Sequence, residues 1–400
     1  MVGYQDFVAL TSSGDSEERG RAAHLAAQAY LRHTGPADEH AALYAALIGF
    51  LDDPSVRVRA ALAYGLLHAA EAPRSILLAL LQDSEIIARA VVQYSPALID
   101  ADLVGLVRRS GPVLLAAIAL RQHVSARLAA ELLARNDRQV TLQLLGRPDV
   151  PVPGDLLARL AEQGADDPEL RGALLARPDV PAAARLALVE AAIAALRGTR
   201  IVKGAVAPRR LERLLRNCTD TALTSIGEGQ ASQGAAPYAS DLVAAERIST
   251  RVMLHAVVNG HVFFFADCVA ALAGVRRDKV FSLLEGGSRA ALNALLARCG
   301  LRDGVRNLVA RLVMHARDAD LADDVTARHF VVTALTEELI VEHDGVIPPD
   351  LEDAFAYLSE QNVMLARRAA RGVMSAFADT DGSRSMPVIA PDDRVALPAA

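Results

Sequence analysis

The 400-residue sequence has no tryptophan, and only 4% of it is aromatic. Sheets enrich in aromatic and β-branched residues, so this scarcity beside abundant alanine and leucine favours close-packed helices. Cysteine is nearly absent too: Cys218, Cys268 and Cys299 are far apart, odd in number and form no CxxC pair. That excludes a disulfide framework and suits a reducing compartment. Charge of one sign is lacking as well. A net charge of −6 gives no global reason to expect nucleic acid or an acidic membrane as partner. The longest apolar stretch, 252–275, is interrupted by His255, Asn259, Gly260, His261 and Asp267. A bilayer centre penalises those residues, so a buried helix pair is expected there rather than a membrane span. The N-terminal stretch has no basic segment leading into an apolar core, so no secretory signal is expected and the cytoplasm is the expected location.

Motifs for chemistry are missing to the same degree. His255 and His261 are six residues apart with a glycine between, which does not put them on one helix face with Asp267 and Cys268 at metal-ligand spacing. EELIVEH (337–343) has the order of neither zinc-protease motif. RDADLADD (317–324) lacks the glycine of a calcium loop, and His329 stands about where its terminal glutamate would fall. GEGQASQG (227–234) is neither a dinucleotide nor a P-loop signature, and no GxSxG occurs. No catalytic, cofactor-binding or metal-binding residue is assigned, and no enzyme activity is expected.

What the sequence does contain is repetition. NDRQVTLQLLGRPDVP (136–151) aligns without a gap on DDPELRGALLARPDVP (166–181), identical at eight of sixteen positions. Fainter copies begin near residues 52, 83 and 110, so the interval is roughly 26–31 residues, the signature of a stacked array. Asp53, Asp83 and Asp167 stand where helix N-caps are wanted, with Pro54 and Pro168 in the first turn. Pro148 and Pro178 stop the first helix of a copy. Asp149 and Asp179 can then accept backbone N–H groups, and Pro151 and Pro181 restart the chain as a second helix. These second helices are expected at 73–81, 101–109, 126–134, 155–163 and 184–197, each with leucines three and four apart.

DDPSVRVRAALAYGLL (52–67) resembles the Asp-Pro-x-Val-Arg-x-x-Ala signature of HEAT-type α-solenoids, and the RPDVP turns resemble those of leucine-rich-repeat-variant solenoids. The resemblance covers about residues 40–197. It implies that Asp53 caps its helix and that Arg57 reaches a neighbouring repeat, although Ile87 aligns with Arg57 in the next copy. The layout of the whole chain is similar to an uncharacterised bacterial family with HEAT-like repeats followed by a second helical region. That resemblance implies no activity.

The expected fold is all-α: a HEAT-like α-solenoid over residues 1–200, then a second helical domain or a continuation of the superhelix at 240–378. Residues 201–239 read as a basic segment and flexible linker, with one short helix at 211–217, and 379–400 as a disordered tail. Two features point to partners. Arg197 to Arg216 is rich in arginine, and Arg209, Arg213 and Arg216 share a helical face beside Arg210, which could meet phosphates or an acidic protein. Three consecutive phenylalanines, Phe263, Phe264 and Phe265, cannot all face one core, because successive helical residues point about 100° apart. The leading expectation is therefore a non-catalytic protein-interaction scaffold or regulatory adaptor. The alternatives are a nucleic-acid-binding protein using the arginine segment, and an enzyme such as a HEAT-like base glycosylase or chromophore lyase, for which only fold analogy speaks.

Overall fold

The computed structural model describes residues 13–234 and 237–380, with side chains as far as 375. Among them lie 22 α-helices and no strand, and the protein is all-α. The chain divides into two compact units between Ala195 and Leu196.

The first unit opens with α1 (Ser16–Arg32), α2 (Ala37–Leu51), α3 (Val56–Leu66), α4 (Arg74–Leu80), α5 (Glu85–Tyr94) and α6 (Asp100–Arg109). It continues with α7 (Pro112–Ala119), α8 (Ala126–Leu133), α9 (Arg138–Leu145), α10 (Gly154–Gln163), α11 (Pro168–Ala176) and α12 (Ala182–Gly198), whose last residues cross the boundary. Alternate helices pack together. α1 meets α3, and the series runs on through α5, α7, α9 and α11, while α2 meets α4 and α6 meets α8. One apolar core cluster takes in residues from Ala22 to Leu188 of these helices. No single eight-residue helix could be stable in water alone, so each depends on burying its apolar face against the neighbours on either side.

Local chemistry places the helix starts. The side chains of Ser125, Asp137 and Asp167 accept hydrogen bonds from Leu128, Val140 and Leu170 N–H at 3.0–3.2 Å. Asp53 and Asp83 do otherwise. The cap positions belong to Ser55 and Ser84, and the two carboxylates receive arginines from the preceding segment of the stack, Arg19 at 2.7 Å and Arg59 at 2.6 Å. The reaching arginine is thus Arg59 rather than Arg57, which is exposed, since Val56 and Arg57 begin the helix on its solvent side and Arg59 lies about 200° around it from Arg57. These fork-shaped contacts hold the Asp53 and Asp83 carboxyls below their ordinary range.

The RPDV turns hold a second set of staples. Arg177 is 1% exposed, and its guanidinium donates to the carbonyls of Arg147 and Val150 at 2.9 Å and of Leu144 at 3.3 Å. Arg147 does the same one repeat earlier, to Ala119 O at 2.8 Å and Arg121 O at 2.5 Å, and Arg121 reaches Val92 and Ser95 O. Each arginine therefore closes the C-terminal carbonyls of the previous repeat, which have no partner within their own helix. Asp149 and Asp179 are held chiefly by the arginine two residues before them, at 2.6 Å in both cases, in place of the expected backbone capping. After the first of these turns the second helix starts at Gly154, later than Pro151, because Pro153 keeps the backbone extended; after the second it starts at Ala182, directly behind Pro181.

The second unit comprises α13 (Arg200–Ala205), α14 (Pro208–Ser232), α15 (Pro237–Ala244), α16 (Thr250–Val258), α17 (Val262–Ala273) and α18 (Arg277–Gly286). It ends with α19 (Arg289–Ala297), α20 (Asp303–Arg317), α21 (Val325–Glu342) and α22 (Glu352–Thr380). At its centre α16 is buried from Val252 to Val258 and touches α14, α17, α20 and α22. One sequence expectation changes here. The stretch expected as a linker is largely the 25-residue α14, with Leu211, Leu215, Leu223 and Ala231 buried. Its glycine-rich end is helical because Phe264 packs against Gly227, where a Cβ would collide with the aromatic ring. The stretch 241–259 is two helices, broken at Glu246 with φ +54° and restarted by the Ser249 cap. Of the tail expected at 379–400, only residues 379 and 380 are described, as the end of α22, and the rest lies outside the described residues.

Candidate functional site

The described residues include no helix long and apolar enough to cross a membrane, and residues 252–275 fold as α16 and α17 with a turn at Gly260. Gly260 has φ +72°, and a Cβ there would come within 2.5 Å of Ala322 N, so no other residue fits the turn. This turn opens α17 and with it the phenylalanine run. Phe264 and Phe265 point into the core, while Phe263 is 44% exposed.

Phe263 stands at the edge of a cavity of about 570 Å³. The walls are Val257, Phe265, Phe281, Leu284, Val313 and Leu321, and Glu285 and Asp320 are exposed at its rim. The rings of Phe263 and Phe281 lie 5.6 Å apart, and the Arg277 guanidinium sits 5.9 and 5.3 Å from their centroids. Arg277 is itself fixed by an ion pair with Asp267 at 2.9 Å and by donation to Ala231 O at 2.8 Å. Burial raises the Asp267 carboxyl pKa against the pull of Arg277. Glu228, from the glycine-rich end of α14, accepts from Phe264 N–H at 2.8 Å and Phe263 N–H at 3.4 Å, satisfying the start of α17. Burial raises its carboxyl pKa too, and those two hydrogen bonds oppose the rise. Across the cavity Arg317 donates to Leu284 O at 2.7 Å and to Leu283 O and Gly287 O at 2.8 Å. Its charge is thereby tied to the end of α18. The result is an apolar recess with a rigid aromatic lip, suited to accept an apolar side chain.

The arginines are elsewhere. Arg209, Arg210, Arg213 and Arg216 are all exposed on the N-terminal part of α14, and none makes an ion pair among the described residues. Glu212, the acid among them, is taken by Arg197 at 3.0 Å. Leu211 and Leu215 bury the opposite side of the helix. Arg216 and Glu228 are twelve residues apart on one helix, roughly 18 Å at 1.5 Å per residue. The two groups of candidate residues are therefore not one site.

A third cluster could not be read from any motif. Arg251 of α16 pairs with Asp220 of α14 at 2.6 Å and Glu360 of α22 at 3.2 Å, donates to Asn217 Oδ1, and lies 4.9 Å from the Tyr357 ring centroid. Tyr357 Oη is 3.0 Å from His255 Nδ1, and Thr221 Oγ1 is 3.2 Å from His255 Nε2. Burial lowers the His255 pKa to about 3 and the His261 pKa to about 4, and it raises Asp220 against the pull of Arg251. With His255 held by Tyr357 and Thr221, and Asp267 by Arg277, these side chains serve the packing. Among the described residues no three His, Cys, Asp or Glu side chains converge as a metal site. Burial also raises the Cys268 thiol pKa strongly and lifts Cys299 to about 11, so neither is poised as a thiolate.

Residues 87–340 match DUF2336, a family described as an uncharacterised protein conserved in bacteria. The chain belongs to this family. The DUF2336 region begins at α5, takes in the later repeats and stops inside α21. It contains the whole wall of the Phe263 cavity and all four arginines of α14, whereas Tyr357 and Glu360 lie beyond it. No curated protein matches the chain.

Proposed function

We propose that this DUF2336 protein is a non-catalytic interaction scaffold or regulatory adaptor that works in the cytoplasm. In this reading the first unit is a HEAT-like array. Its alternate-helix packing and its two sets of repeat-to-repeat arginines support that, and such arrays present long surfaces built from successive helices. The observation that carries the reading is Phe263, an exposed aromatic fixed by Arg277 at the lip of an apolar cavity. Rigid aromatic anchors beside well-packed apolar recesses are where protein interfaces concentrate their energy. A partner would insert one apolar side chain, and no bond would be made or broken. A peptide-display selection tests it: the chain should enrich sequences sharing an apolar anchor, and Phe263→Asp should lose them. Enrichment of no common sequence, or equal binding by the variant, removes the reading.

A second reading has its own observation. Four exposed arginines that make no ion pair among the described residues, at the start of a helix whose N–H dipoles also favour anions, would suit a nucleic-acid backbone. Titrating duplex and single-stranded DNA against salt would decide it. Affinity that falls steeply with salt and is lost when Arg209, Arg210, Arg213 and Arg216 become alanine supports it, and salt-independent or absent binding rejects it.

A further inference from the structure

The last two helices carry a surface that the reading above leaves unused. Thr333 Oγ1 donates to Asn362 Oδ1 at 3.0 Å, which sets α21 and α22 side by side and, with the turn between them, antiparallel. The buried residues of α21 are Val331, Val332, Leu335, Thr336 and Leu339, and those of α22 include Ala354, Tyr357, Leu358, Gln361 and Leu365. At 100° per residue the opposite side of α21 holds Phe330, Glu337 and Val341, and that of α22 holds Glu352, Val363, Arg367, Ala370 and Met374. All of these are exposed, Phe330 at 72%, Val341 at 77% and Met374 at 71%. Large apolar residues are thus lined up on the outward side of both helices, where single scattered ones would need no explanation.

Charge is divided along the same surface. From Glu337 to Asp353 the chain carries seven acids and no lysine or arginine; from Val363 to Ser375 it carries three arginines and no acid. Glu338 and Glu342 are spent on Arg311 and His315 of α20. Glu337, Asp344, Glu352 and Asp353 remain exposed at the turn end, and Arg367, Arg368 and Arg371 at the other end.

We propose that this face docks on the same face of a second copy, with the two helix pairs packed antiparallel about a two-fold axis. A two-fold contact brings each patch against its own counterpart reversed, so the acidic end of one copy meets the basic end of the other. Helical rise makes the register specific. With Thr333 level with Asn362, Arg367 and Arg371 lie about as far to one side of a centre near Val363 as Glu337 and Glu352 lie to the other. Phe330 and Val363 then fall at the middle of the contact and exclude water from it. A single copy cannot satisfy this pattern, because its own acids and arginines are at opposite ends of the pair. α22 lies wholly beyond the DUF2336 match, whereas Phe330 and Glu337 of α21 lie within it, so the contact joins the family region to the segment that follows it.

Sedimentation equilibrium on the full chain tests the proposal. The wild type should have twice the monomer mass, and Phe330→Glu should return it to monomer with unchanged helicity. Arg367→Glu with Arg371→Glu should weaken the dimer at least tenfold, and adding Glu337→Arg and Glu352→Arg should restore it. A wild type that stays monomeric overturns the proposal. So does a dimer indifferent to both the Phe330 and arginine variants, and a charge swap that fails to restore the dimer overturns the antiparallel register.

Discussion

The two units solve one problem in different ways: joining short, alanine- and leucine-rich helices whose apolar faces are alike. In the first, arginines recur as the joining device, reaching back to carbonyls about thirty residues earlier or forward to an aspartate of the segment that follows. In the second, the polar contacts follow no repeating pattern, with Arg251 joining α14, α16 and α22, Glu228 capping α17 and Arg317 closing α18. Periodic contacts join successive helix pairs in the same way. Individual contacts let helices part locally, and the cavity beside Phe263 lies among them.

The largest loss of stability is expected at Arg177. Arg177→Ala removes a buried charge from three carbonyls and a carboxylate and should cost about 3–5 kcal/mol in urea unfolding. Arg177→Lys should recover little, because an ammonium cannot fork to the same acceptors. Arg251→Ala in the second unit leaves Asp220 buried without its cation, and we expect a loss of about 2–3 kcal/mol, visible in the same measurement. Gly227→Ala drives a methyl group into the Phe264 ring and should cost about 1–3 kcal/mol, with part regained on adding Phe264→Leu.

Acid acts on the second unit through a buried histidine. His255 is neutral in the folded chain down to about pH 3, whereas the unfolded chain binds its proton near pH 6.5. Between those values the unfolded state holds more protons, so stability rises with pH and is lost as pH falls. Thermal unfolding followed from pH 7 to pH 4.5 should show a slope of up to ~1.4 kcal/mol per pH unit from this residue. His255→Gln should flatten it; an unchanged slope would mean that other groups set the acid sensitivity. The smallest effect is expected from Arg209→Ala, Arg210→Ala, Arg213→Ala and Arg216→Ala together. They are exposed and make no ion pair among the described residues, so the unfolding midpoint should not move.

Much of the first unit was legible because its signals repeat. Leucine spacing located α4, α6, α8, α10 and α12 to within about two residues at each end. The same pattern could not reveal which arginine crosses to the neighbour, since Arg57 and Arg59 differ only in the direction they face once the helix is packed. In the second unit GEGQASQG reads locally as linker, yet it is helical as far as Ser232, where Phe264, distant in sequence, packs against Gly227. Consecutive phenylalanines did signal that one must face outward, and Phe263 does. Nothing near them in sequence marks Phe281, Leu284 or Val313 as walls of the same recess, or Glu228 as the cap of their helix. Such a recess exists only after distant helices meet.

The most direct test of the account is calorimetric titration of a display-selected peptide into the full chain at several temperatures. Burial of an apolar anchor in the cavity predicts a negative heat-capacity change that disappears in Phe263→Asp and persists when the four α14 arginines are alanine. Binding that survives Phe263→Asp unchanged, or that depends on the arginines instead, would contradict it.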